Sequence, residues 1–464
     1  MPKRQGFYAI MAFATIILMF CSCGSDDDYL SGDKPLSFST DTISFDTVFT
    51  QIGSATQQLK IYNRNNRSLN IQSVELESKG ASGFRINLDG ESGTSFSNVE
   101  ILKKDSLFLF VEITVDPLTS SDPVIRDSIR FTTNGITQYI QLEAIGLDVY
   151  KWKDKIIDQN TTITADKPIL VYNTLTVAEG VKLTVAENAV FYFRRNARMA
   201  VYGSVDMQGT ANKPIVMRGD RFDKISENVY WDNVPGQWAG ITFHPDSYNN
   251  AIQYVTIKNS TEGVLFLESN PSVKKATLRG MTIQNTSQTG LSAINSNIDA
   301  ENCLLVNSGE ATMKLTGGKY SFNFCTIANY YRWATRKAPT LVIGNILGAL
   351  DECNIYNSII YGSYSEELSI EGTNSAALNY RIASSIVRGT ASQKANFEDV
   401  MWNTNPQFVD LNSNEDFTYN FQLRDNSPAI DAGNNTYPVP SDIKGRTRPH
   451  NGAYDIGCYE WYGE

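Results

Sequence analysis

The chain has 464 residues, enough for two or three domains with full cores. Its 40 Lys and Arg against 50 Asp and Glu give a net charge of −10, or −12 once residues 1–22, with Lys3 and Arg4 and no acid, are set aside. Phosphate binding wants clustered Lys and Arg, so nucleic acid is excluded as a partner. His244 and His450 lie far apart and no Cys-x-x-Cys or His-Glu-x-x-His spacing occurs, so no metal ligand is assigned. The 23 Tyr and 22 Phe, beside many Asn, Thr and Ser, direct the chain toward strands and turns.

Lys3 and Arg4 are followed by an almost wholly apolar run from Phe7 to Phe20, the layout of a secretory signal and too short to span a membrane. Small Ser22 precedes Cys23 whereas bulky Phe20 precedes Cys21, so residues 1–22 read as signal peptide and Cys23 as the mature N-terminus. The stretch Phe20-Cys21-Ser22-Cys23 resembles the lipobox of bacterial lipoproteins, with Phe20 where that pattern usually has leucine. Gly24-Ser25-Asp26-Asp27-Asp28 resembles the signal by which one large phylum of Gram-negative bacteria sends lipoproteins to the outer face of the outer membrane. The resemblance implies lipid on Cys23, an address in Ser25, Asp26, Asp27 and Asp28, and an acidic export segment and linker over 23–35. A charge run alone is a solvated linker; the adjacent cysteine favours the address. Several acyl chains would anchor the chain stably, since each buried methylene contributes ~0.8 kcal/mol and one chain alone is marginal.

Residues 36–147 hold short alternating segments split by turn residues. In "SLFLFVEITV" Leu107, Leu109, Val111, Ile113 and Val115 share one face, the period of a half-buried strand. Six or seven such strands predict an antiparallel sandwich, similar to the immunoglobulin-like modules of bacterial surface proteins, with a spacer role. Asp41-Thr42-Ile43, Asp46-Thr47-Val48, Asp105-Ser106-Leu107 and Asp127-Ser128-Ile129 resemble an O-glycosylation motif, although alternating strand edges also produce such triplets.

Residues 160–400 repeat themselves. Five-residue cores begin at Val255, Met281, Cys303 and Cys325, with two later ones at Ser358 and Ser385. Such a step is one rung of a parallel β-helix, each strand bonded to its copy ~4.8 Å away. The cores then stack Ile257 over Ile283 and Cys303 over Cys325, which makes these cysteines core residues. Asn259, Asn285, Asn307 and Asn329 close four cores; asparagine tolerates a left-handed turn, and stacked amides can bond to one another, so these four are expected to form a structural ladder.

The stretch 175–219, with Gly203 and Gly209, and "PGQWAGITF" at 235–243 resemble the opening rungs of secreted bacterial right-handed parallel β-helix proteins. "SPAIDAGN" at 427–434, then Asp442, Gly445 and Arg448, then "DIGCYE" at 455–460 resemble their closing segment, placed at 401–464. The expected fold is therefore all-β, an immunoglobulin-like sandwich followed by a right-handed parallel β-helix solenoid. Asp442, Arg448 and Asp455 are expected to be ion pairs closing its open end.

Polysaccharide lyases and hydrolases occur among the β-helix families, but between 250 and 395 the acids look scattered, with no carboxylate column, and the catalytic residues stay unknown. A lyase would use Ca²⁺ in a carboxylate cluster; otherwise no cofactor is expected. Arg218-Gly219-Asp220, an adhesion tripeptide, arises by accident in a chain this long. The longest step between cores contains "NYYRWATRKAP", whose Tyr330, Tyr331, Arg332, Trp333, Arg336 and Lys337 form the candidate binding surface, or else aromatics that cover the core. A second insertion at 219–237 offers Tyr230 and Trp231 with the same two readings. The expected partners are the outer membrane, through the lipid, and an extracellular glycan or an outer-membrane protein. A non-catalytic binding or scaffold module is favoured over a β-helix lyase or hydrolase of acidic polysaccharide. Radiolabelled fatty acid should be incorporated by the natural chain and not by Cys23→Ala.

Overall fold

In the computed structural model the described residues are 29, 34–117, 122–373, 375–412 and 414–463. The signal peptide and Cys23, Ser25, Asp26, Asp27 and Asp28 lie outside them. The fold is all-β and divides into two compact units, Met1–Asp148 and Val149–Glu464.

The first unit has two five-stranded sheets. One runs Ser37–Phe38, Gln57–Tyr62, Ser106–Ile113, Phe84–Leu88, Glu91–Gly93; the other runs Thr42–Phe49, Ile136–Leu147, Val124–Thr133, Leu69–Leu76, Ser95–Ile101. Neighbours are antiparallel except Thr42–Phe49, which runs parallel to Ile136–Leu147. Alternation decides what is inside: Leu109, Val111 and Ile113 are buried against Ile71, Phe131 and Leu142, while Phe108 and Phe110 face out.

The second unit is a 26-stranded sheet whose neighbours pair in parallel, each strand with its counterpart one turn of chain later, and it fits a β-helix solenoid. Three walls recur along the coil. The first wall contains Val190–Phe193, Ile215–Gly219, Val255–Lys258, Thr282–Thr286, Leu304–Ser308, Thr326–Asn329 and Ile359–Gly362. The second contains Arg198–Val201, Gly240–Phe243 and Val264–Phe266; the third contains Ser204–Gln208, Asn250–Gln253 and Ala276–Arg279. The register matches the repeat in the sequence, with Ile257 on Ile283, then Leu305, Ile327, Ile360 and Val387. All are buried, each worth roughly 1.5–3 kcal/mol, and Cys303, Cys325, Cys353 and Cys458 are buried free thiols. The coil starts before residue 160, at Tyr150–Ile157, which pairs with Ile169–Val177. That strand is mostly exposed and carries Lys151, Lys153 and Lys155, so it shows no apolar repeat.

At the corner between first and second walls, Asn259, Asn285 and Asn307 are left-handed as expected, and Asn329 is not. Their amides do not form the expected ladder but serve the main chain. Asn307 Oδ1 accepts from Tyr330 N at 3.0 Å, and Asn329 Nδ2 donates to Ser308 O at 2.9 Å while its Oδ1 accepts from Ser308 N. The reason is that each turn presents backbone groups that must be paired, and the amide below is the nearest partner. A side-chain amide bond does form at another corner, Asn357 Nδ2 to Asn323 Oδ1 at 3.1 Å.

The closing segment does not cover the end of the coil; it lies along the outside of the first wall. Phe408, Phe421, Leu423, Ala429, Ile456 and Cys458 pack there on Leu304, Val306, Ala328, Ile359 and Tyr361. Asp442 pairs with Arg446 at 3.0 Å and Arg448 with Glu460 at 2.8 Å, while Asp455 accepts from the Asp431 and Trp461 amides. Arg448 also donates to Asn302 Oδ1 at 2.9 Å, which ties the segment sideways to the coil. The late end of the core is instead packed by Tyr380, Phe397, Val400 and Trp402. An apolar outer wall explains the difference, because Val306, Ala328 and Ile359, which point away from the coil's own core, are buried only by the segment laid over them.

Gly240, Gly263 and Gly290 stack in the same corner, and a Cβ on Gly263 would sit 2.1 Å from Gly290 O. Gly263→Ala should therefore cost about 1–3 kcal/mol through overpacking, read as a lower melting temperature.

Candidate functional site

Both insertions leave the coil at this corner, which counting along the chain does not reveal. Residues 220–239 connect Ile215–Gly219 to Gly240–Phe243, and residues 330–340 connect Thr326–Asn329 to Leu341–Gly344. Between them lie the short turns 259–263, 287–290 and 309–312. At about 4.8 Å per rung the insertions start about 19 Å apart and bound a saddle floored by those turns.

The floor carries one row of side chains, Glu262, Gln288 and Glu310, each three residues after a corner asparagine. Two of the acids that look scattered in the sequence, Glu262 and Glu310, thus come close enough to interact. Burial pushes the Glu262 carboxyl up to about 7, Glu310 adds like-charge repulsion, and a hydrogen bond from the Thr289 backbone opposes both. Glu310 is met on its other side by Lys337 at 3.4 Å.

The first insertion forms the pair Lys224–Ser226 and Val229–Tyr230, then a 3₁₀ turn at Trp231–Asn233. Asp232 anchors it, held by Arg218 at 2.9 Å and Lys258 at 2.7 Å on two neighbouring rungs. Burial lowers the pKa of both cations and Asp232 opposes that. Gln237 Nε2 and Asn259 Nδ2 bind the turn's carbonyls, and the Arg221 guanidinium lies 3.8 Å over the Trp231 ring. With Arg218 buried against Asp232, and Asp220 facing Arg194 at 3.3 Å, the adhesion tripeptide is part of this anchor.

In the second insertion the six candidate residues divide. Tyr330 packs against Phe408 and Phe421, and Trp333 stacks on Phe417 at 4.0 Å. Arg336 is buried, with Nη2 2.7 Å from Glu367 Oε2, Nη1 on Asn329 O, and its plane 3.9 Å over Tyr364. These three residues hold the loop and are not a free binding surface; their partners come from the closing segment and the next rung. Arg332 and Lys337 are exposed and Tyr331 is half-buried beside Gly309, so these three remain at the saddle. Asn233 Nδ2 donates to Asp416 O at 3.0 Å, so Asp416 and Phe417 of the closing segment touch the two insertions. Among the described residues no group of three His, Cys, Asp or Glu converges as a cation cluster.

No protein-family model matches the sequence, and no curated protein matches it. Similar solved structures include a family 123 glycoside hydrolase from Clostridium perfringens, described for glycolipid glycan hydrolysis, at 9% identity and TM-score 0.18, covering 25% of this chain and 26% of that one. Others are a PapD-like domain of human CEP192, at 11% identity, TM-score 0.18 and coverage of 26% and 95%, and the periplasmic chaperone SfaE, at 13%, 0.18, and 28% and 66%. The chain spans about a quarter of the hydrolase it matches, and likeness of this degree carries no argument.

Glu262 supplies a pH test. Its folded pKa is raised from 4.5 to about 7, so its stabilising contribution is present below 4.5 and is lost as pH rises through about 7. Glu262→Gln should remove that loss: the variant's melting temperature should gain on the natural chain between about pH 5 and pH 8.

Proposed function

We propose that the chain is a surface lipoprotein of the outer membrane, an immunoglobulin-like sandwich followed by a right-handed parallel β-helix, whose saddle binds an extended strand of extracellular glycan. The observation that supports this is the pair of insertions leaving one corner on either side of three short turns. Successive rungs repeat at about 4.8 Å, a spacing close to that of successive sugars in an extended polysaccharide, so one row of Glu262, Gln288 and Glu310 offers each sugar a hydrogen-bonding group. Arg332 and Lys337 add exposed cations on one bank, which suits a strand carrying carboxylates.

A hydrolase is the second reading, favoured by one observation: Glu262 holds its proton near neutrality with a second carboxylate two rungs on. Two rungs are about 10 Å, near the separation at which one carboxyl protonates the leaving oxygen and the other activates water. Affinity electrophoresis through polygalacturonate or alginate tests binding: Arg332→Ala with Lys337→Ala should weaken retention about tenfold with the melting temperature unchanged. Retention unaffected by the pair would overturn the saddle. Release of reducing sugar that disappears in Glu262→Gln would make the hydrolase reading primary.

A further inference from the structure

The first unit carries an outward feature that its own folding does not need. On Ser106–Ile113 the inward residues Leu109, Val111 and Ile113 complete the core, yet the outward positions hold Phe108 and Phe110, 39% and 36% exposed. Their rings stand 6.4 Å apart and nearly parallel, tilted by only 24°, along one strand. Register sets polar groups around Phe110: Gln58 on one side, Asn87 on the other, and Arg85 beside Glu112 one step along. Asn87, Arg85 and Glu112, together with Thr56 and Ser92, line a hollow of about 640 Å³ in which Phe110 supplies the aromatic wall.

We propose that this hollow is a second glycan site, independent of the saddle, and that it takes a neutral polysaccharide. A sugar ring has an apolar C–H face and a rim of hydroxyls; Phe110 meets the first and Asn87, Ser92 and Glu112 meet the second. The charge decides the class. The lining holds one arginine and one glutamate, 3.5 Å apart and compensating each other, and Thr56 Oγ1 donates to Glu112 Oε1 at 2.5 Å. An acidic sugar would compete with Glu112 for Arg85, whereas a neutral sugar uses both as they stand. A protein partner would want an apolar, charge-depleted centre, and this lining is polar apart from Phe110, Ile86 and Gly93.

The test is affinity electrophoresis of the purified full chain through gels of arabinoxylan, glucomannan or dextran, with polygalacturonate for comparison. At least one neutral polymer should retard the chain, and Phe110→Ala should weaken that retention about tenfold. The ring lies outside the core, so the melting temperature should hold; if it falls, Asn87→Ala carries the test and should weaken retention similarly. Tyr139→Ala, an exposed aromatic on the other sheet, should change nothing. Retention that survives both Phe110→Ala and Asn87→Ala, absence of retention on every neutral polymer, or loss of polygalacturonate retention alone in Phe110→Ala would overturn the proposal.

Discussion

Parallel pairing between successive turns is the constraint on which the second unit depends. Because each wall strand bonds to its copy in the next turn, residues paired along one wall fall into a column, inward or outward. Inward columns such as Ile257, Ile283, Leu305, Ile327 and Ile360 supply the core. Corner columns such as Gly240, Gly263 and Gly290 let the turns close without a Cβ between carbonyls. The same geometry brings outward groups of different rungs together: Glu262 and Glu310, two rungs apart, come close enough to interact.

The insertions show how a repetitive scaffold holds irregular parts in place. Each sends a charge inward to a coil residue, Asp232 to Arg218 and Lys258, Arg336 to Glu367. A buried pair such as Arg336 with Glu367 adds little net stability over apolar packing, but removing one partner leaves an uncompensated charge, so it fixes which loop conformation is adopted. Trp333 on Phe417 and Asn233 on Asp416 then join both loops to the closing segment. The saddle is thus built by three segments far apart in sequence, over a floor supplied by the coil.

The coil was legible because its signal is local and repeated: an apolar residue, a gap, an apolar residue, a turn asparagine. The closing segment was legible as a motif but not in place, since its seat is decided by contacts such as Arg448 with Asn302, 146 residues apart. The same limit divided the candidate loop. Its length marked it as an insertion, but only Phe417 and Glu367 decide that Trp333 and Arg336 turn inward while Arg332 and Lys337 stay out. The floor row was visible and overlooked: each member follows its asparagine by three residues, and comparing acids at that one offset would have found Glu262 and Glu310. The strand Tyr150–Ile157 had no signal to find, being lysine-rich and mostly exposed.

Placement of Glu262 and Glu310 in one corner two rungs apart is the claim on which the saddle rests, and electron paramagnetic resonance of a doubly spin-labelled Glu262→Cys/Glu310→Cys chain measures it directly. Cys303, Cys325, Cys353 and Cys458 are buried and shielded from the label, and Cys21 and Cys23 are replaced by serine in the labelled chain. Strong dipolar broadening is predicted, corresponding to labels about 10 Å apart with allowance for their linkers. Spectra that equal the sum of the two single-label spectra would contradict the register and the saddle with it.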